Sequence, residues 1–239
     1  MNTCGYLEQE EKAAIHYMLE EKDGKVILSS KNAAKVFAMM ANTPRYKTAA
    51  RTRDKRSSAY WFDQWKTNGT LSENELFTLL KRLNAENSTR VSDSDLAVIK
   101  NNIIRQRDKL ITDLKNADYA LIDIITQDCE KIPFSFATKF CHYACLYMLD
   151  GAARDNFPIF DDIIRTHLGK YSEDWNTKRD DDSNRKLIRN QNPKELAQTA
   201  GGLGRFYRFY VDVISDLAEK HQISKTGVEQ LIWFYHNGD

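Results

Sequence analysis

Proline and glycine are scarce in this 239-residue chain, which holds four of the first and ten of the second. With so few helix breakers, and with apolar residues recurring mostly at steps of three and four, the chain reads as all-α. KVILSS at 25–30 is the one strand-like run. Long apolar runs are missing too: nothing approaches the ~20 consecutive apolar residues of a membrane-spanning helix. The opening MNTCGYLEQEEK lacks the basic and apolar regions of a secretion signal, so a cytoplasmic protein with no membrane partner is expected. The cysteines (Cys4, Cys129, Cys141 and Cys145) form no CxxC pair and no cysteine–histidine spacing. That argues against a zinc site or a disulfide framework, and nothing calls for a metal or a cofactor. Net charge is only +1, so the strong basicity common among nucleic-acid-binding domains is absent and any positive face must be local.

What is present suits a folded domain. Hydrophobic residues at 41% and charged residues at 29% exclude wholesale disorder, and the length allows one large domain or two small ones. Periodicity predicts a helix over Leu7–Glu21 with Leu7, Ala14, Tyr17 and Met18 on one side. A second, capped by Ser30, runs from Lys31 to Ala41 with Ala34, Val36, Phe37 and Met40 inside. Leu71-Ser72-Glu73-Asn74-Glu75 opens another with a serine cap and an acidic first turn. A long helical pattern from Ser94 to Thr126 is broken near Asn116-Ala117-Asp118. Residues 169–195 read as a loop, Gly201-Gly202-Leu203-Gly204 as a flexible joint, and two aromatic helices close the chain, suited to burying the back of the 136–149 helix described below.

One segment concentrates positive charge. RYKTAARTRDKR at 45–56 carries six basic residues against one acidic, and Tyr60, Trp61, Phe62 and Trp65 follow. Arg51, Arg53, Lys55 and Arg56 beside aromatics could hold a phosphate backbone. Helical spacing of the aromatics supports core packing equally well.

The stretch from Lys131 to Leu168 pairs a lysine with aspartates. Ala137, Phe140, Cys141, Ala144, Cys145 and Met148 make one apolar face of a helix from about Phe136 to Leu149, and Lys139 and His142 fall off that face. Asp150-Gly151 ends the pattern, Phe157-Pro158 forces extended backbone, and Asp161 can cap a second helix. This layout resembles the helix-hairpin-helix DNA glycosylases, most closely their 8-oxoguanine DNA glycosylase branch. There a Gly-Val-Gly-Thr-Lys hairpin carries a nucleophilic lysine, and a Pro-Val-Asp segment about twenty residues later supplies an aspartate. Ser135-Phe136-Ala137-Thr138-Lys139 stands at the hairpin and Pro158-Ile159-Phe160-Asp161 at the second site. Ser135 and Ala137 replace the two glycines. The aspartate comes one residue later than in the family, so Asp161 and its neighbour Asp162 both qualify.

The resemblance implies a helix-hairpin-helix glycosylase-like domain over 91–239, preceded by an additional N-terminal helical region over 1–90. It also implies an enzyme that removes a damaged or modified base from double-stranded DNA, with or without strand-cleaving lyase activity. Lys139 would attack the sugar, Asp161 (or Asp162) would stabilise the developing cation, His142 would line the site or lend positive charge, and Ser135, Ala137 and Thr138 would approach a phosphate. Phage defence, on modified foreign DNA, is one setting for such chemistry. The competing expectation is a non-enzymatic module on the same helical fold that binds DNA or a partner protein.

Overall fold

Serine and aspartate side chains cap most of the helix starts. A computed structural model describes residues 14–15, 17–43, 51–176 and 202–237. Among these residues it contains a two-stranded antiparallel hairpin, β1 (Glu21–Lys22) and β2 (Lys25–Val26), and ten α-helices. The helices are α1 (Ser30–Asn42), α2 (Ser58–Asn68), α3 (Glu73–Glu86), α4 (Asp93–Lys115), α5 (Ala120–Thr126), α6 (Phe134–Met148), α7 (Asp162–His167), α8 (Glu173–Asn176), α9 (Gly202–His221) and α10 (Lys225–His236). Ser29, Ser57, Ser72, Ser92, Asp161 and Ser224 each accept an amide of the following turn. Each such cap satisfies an otherwise orphaned donor and contributes roughly 1 kcal/mol. The fold is all-α, and no helix among the described residues is long and apolar enough to cross a membrane.

The lysine-bearing helix α6 forms the centre. Phe136, Ala137, Phe140, Cys141, Ala144 and Cys145 are at most 1% exposed. α2 packs against it through Phe62, whose ring lies 5.7 Å from Phe140 and 6.0 Å from Tyr147. α5 precedes it, α9 lies against α5 and α10, and α10 reaches α1 and α7. Residues on both sides of position 90 thus share one buried cluster. α2 thus covers one side of α6, and the terminal helix α9 meets its first turn through Phe134, whose ring lies 5.8 Å from Phe206 and 6.3 Å from Tyr207.

Several sequence expectations need correction. Tyr17 is 90% exposed, and Ile15 and Leu19 are the buried residues there; positions 1–13 lie outside the described residues. In α1 the inward positions are Asn32, Ala33 and Val36, while Ala34 and Phe37 face outward and Met40 is half-buried. The face is set by Asn32, whose amide donates to the carbonyls of Glu20 and Ile27 and accepts from the Glu20 N–H, tying α1 to the hairpin. KVILSS supplies only the short β2, since Ser29 already caps α1. Within the expected 169–195 loop, Trp175 on α8 is buried against Phe160, Phe206, Phe209 and Tyr210; residues 177–195 lie outside the described ones.

The glycine run is no joint where it is described. Gly202, Leu203 and Gly204 form the first turn of α9, and both carboxylate oxygens of Asp123 accept their amides, from Leu203 at 3.1 Å and from Gly204 at 2.8 Å. A Cβ on Gly204 would stand 2.7 Å from the Tyr119 carbonyl oxygen and 2.7 Å from Asp123 Oδ2. Only glycine lets α9 approach α5 so closely. Gly204→Ala should therefore cost about 1–3 kcal/mol, as overpacking typically does, read as a lower urea midpoint at unchanged slope; a midpoint equal to wild type would mean that the approach is looser than described.

Candidate active site

An extended strap, Phe157–Phe160, crosses the inner side of α6 and delivers the chain to Asp161. Pro158 disfavours helical backbone at Phe157, so the strap cannot satisfy its own carbonyls as a helix would. Side chains do it instead. His142 Nδ1 lies 2.9 Å from the Phe157 carbonyl, Tyr207 donates to the Pro158 carbonyl at 2.5 Å, and Tyr210 donates to the Ile159 carbonyl at 2.6 Å. The Thr138 hydroxyl lies 3.2 Å from the Phe160 carbonyl and 3.0 Å from that of Ser135, and it accepts the Phe160 amide at 3.3 Å. Four buried carbonyls are thus each matched to a side chain, and each would cost about 1–3 kcal/mol if left unpaired.

This strap sets Asp161 opposite Lys139. One carboxylate oxygen, Oδ1, accepts the Ile164 amide as the cap of α7, and the other, Oδ2, stands 3.5 Å from Lys139 Nζ. The two side chains are 11% and 10% exposed. Asp162 points outward, 83% exposed and paired with Arg165. Of the two candidate aspartates, Asp161 is the one placed against the lysine. Removing either charge of such a buried pair leaves the other uncompensated, at a typical cost of 3–5 kcal/mol.

The other expected site residues divide. His142 is buried, and its pKa falls to about 4, chiefly from burial; the Lys139 charge adds to the fall and the bond to the Phe157 carbonyl opposes it. A neutral imidazole supplies no positive charge at neutral pH, so its part is to hold the strap. Ser135, Ala137 and Thr138 lie in the opening turns of α6, with Ala137 and Thr138 fully buried and Ser135 half-buried. Of the three, Ser135 alone keeps part of its surface open, and the Gln127–Pro133 turn joins α5 to α6. No side chain caps α6 at Pro133. Within the preceding turn the amides of Glu130 and Lys131 donate to Asp95, beside a cavity of about 290 Å³ with Arg90 and Lys131 among its walls.

The basic cluster is similarly split. Arg51 is bound to Glu86 at 2.6 Å and lies over the Tyr143 ring, so it serves the fold. Arg56 pairs with Asp54 at an exposed position, and Arg53 and Lys55 are exposed; positions 45–50 lie outside the described residues. Phe62 and Trp65 are core residues, as helical spacing allowed, and Tyr60 and Trp61 are half-buried.

Sequence reading missed Thr138 as a strap ligand, the two tyrosines and Glu229. Glu229 gave a usable signal: an acidic residue among Val228, Leu231 and Ile232 on the apolar face of α10 calls for a reason to be buried. Among the described residues no cluster of histidine, cysteine, aspartate and glutamate suits a metal ion. Compared with protein-family models, curated proteins and solved structures, the chain matches none.

The strap has an acid limit. A histidine with a depressed folded pKa gives stability that is complete above its unfolded value of about 6.5 and lost as pH falls towards about 4. Over that interval the loss is about 3 kcal/mol. Urea unfolding of wild type and of His142→Gln, whose amide can still donate to the Phe157 carbonyl, should differ in this acid-side loss; identical pH profiles would remove His142 from the account.

Proposed function

We propose that the chain is a DNA glycosylase that removes a damaged or modified base from double-stranded DNA, with Lys139 as nucleophile and Asp161 as its carboxylate partner. The observation that carries the reading is the Lys139–Asp161 pair, 3.5 Å apart and almost closed to water. An ammonium is a poor nucleophile; once it has given up a proton, a lysine amine can attack a sugar carbon as the base leaves, giving a Schiff base. Asp161 is placed to accept that proton or to stabilise the positive charge that develops on the sugar as the base leaves. The strap supports the reading as well, since positioning a carboxylate through four separately held carbonyls favours a fixed charge over a mobile one.

The DNA-facing side is supported by the uncapped start of α6, whose first-turn amides have no acceptor within the helix, and by exposed Arg53, Lys55 and Arg56. Helix N-termini and basic side chains are both phosphate ligands. A role against modified foreign DNA, as in phage defence, fits the same chemistry and belongs to the proposal.

Two experiments test it. Borohydride should trap a covalent complex on duplexes from a panel of damaged and modified bases; Lys139→Gln should abolish trapping, and Asp161→Asn should slow base release at least ~100-fold, as loss of an electrostatic stabiliser does. Trapping by a folded Lys139→Gln at wild-type level would reject the mechanism. For the surface, the triple Arg53→Ala, Lys55→Ala, Arg56→Ala should weaken duplex binding regardless of sequence and flatten the salt dependence by about 0.9 per lost phosphate contact. An unchanged slope would assign those residues to ordinary surface.

A further inference from the structure

The lysine–aspartate pair has a third ionisable neighbour. Glu229 on α10 is 4% exposed, and its Oε2 has no hydrogen-bond partner. α10 packs against α7, the helix that Asp161 caps. The ionisable groups acting on Glu229 come from several elements: Lys139 and Tyr143 on α6, Asp155 in the 3-10 turn Gly151–Asp155, Asp161 at the end of the strap, and Tyr210 on α9. The Ile159 amide also bonds to Glu229, so the strap is held from α10 as well as from α6 and α9.

Two carboxyls and one ammonium in a site this dry cannot all stay charged without leaving one negative charge unmatched. Partners decide which carboxyl keeps the proton. Asp161 has Lys139 at 3.5 Å, the Ile164 amide at 3.2 Å and a little exposure. Glu229 has one backbone amide and an oxygen facing no donor. Burial, reinforced by the Asp161 charge, pushes the Glu229 carboxyl well above the usual carboxylate range, against the opposing pull of Lys139.

We propose that Glu229, buried with one oxygen unpartnered on the helix that packs against α7, completes this site as a positioning residue that sets the balance of charge around the Lys139–Asp161 pair. It acts through charge and takes no proton during the reaction. Only its kinetic consequence rests on the glycosylase reading. An ionised Glu229 would add a second negative charge to the pair and slow the attack.

The test begins without DNA. Isotope-edited infrared or carbon-13 titration of glutamate-labelled full-length protein should show a protonated carboxyl at neutral pH that is absent from Glu229→Gln. Its midpoint should move up in Lys139→Gln, where a cation is lost, and down in Asp161→Asn, where an anion is lost. An ionised Glu229 at neutral pH, or a midpoint indifferent to both substitutions, overturns the proposal whatever the chemistry of the site. Thermal melting adds a second readout. A carboxyl whose folded pKa exceeds its unfolded one lends stability below the unfolded value and loses it as pH rises through the folded one. Glu229→Gln should therefore gain in Tm on wild type as pH rises; parallel profiles would contradict this. In the trapping assay, the ratio of Glu229→Gln to wild type should rise severalfold between neutral pH and alkali. Loss of trapping by the folded variant at every pH would make Glu229 a proton-transfer group and reject the charge-only role.

Discussion

Backbone carbonyls that cannot enter a helix must find partners elsewhere when they are buried. In this protein that constraint falls on Phe157–Phe160, and much of the site's order follows from how it is met. His142 and Thr138 reach the strap from α6, Tyr207 and Tyr210 from α9. Each of those side chains is itself buried, so neither helix can shift without stranding a carbonyl. Asp161 comes immediately after the strap and inherits its rigidity. The capping bond to Ile164 then fixes the carboxylate's own rotation, leaving Oδ2 towards Lys139.

The buried ion pair is not explained by stability alone. Buried pairs of this kind are often no more stabilising than apolar residues of the same volume. A chain that buries a lysine, an aspartate and a glutamate carries a cost that ordinary core packing would avoid. Chemistry that needs an amine shielded from water offers a reason for it. The N-terminal part of the chain belongs to this arrangement, because α2 covers α6 through Phe62 and the Arg51–Glu86 pair clamps the start of α2 through Ser58.

Local features were legible in the sequence. The serine cap and acidic turn at Ser72, the break at Ala117 with its φ of 52°, and the cap at Asp161 all follow from side-chain chemistry within a few residues. What eluded sequence reasoning joins distant positions. Thr138 meets Phe160 across 22 residues, and Tyr207 and Tyr210 meet the strap across 49 and 51. Nothing in a helical period separates a tyrosine that fills a core from one whose hydroxyl is aimed at a carbonyl. The glycines that open α9 misled for the same reason: flexibility is their local property, whereas the close approach to Tyr119 and Asp123 appears only when two helices meet.

The central claim is that Lys139, among all the lysines, is the amine that joins DNA. Its most direct measurement is peptide mapping by mass spectrometry of the adduct formed when wild-type protein is reduced in the presence of abasic duplex. The account predicts that the sugar remnant sits on the peptide containing Lys139. An adduct placed reproducibly on another lysine, with Lys139 unmodified, would contradict it.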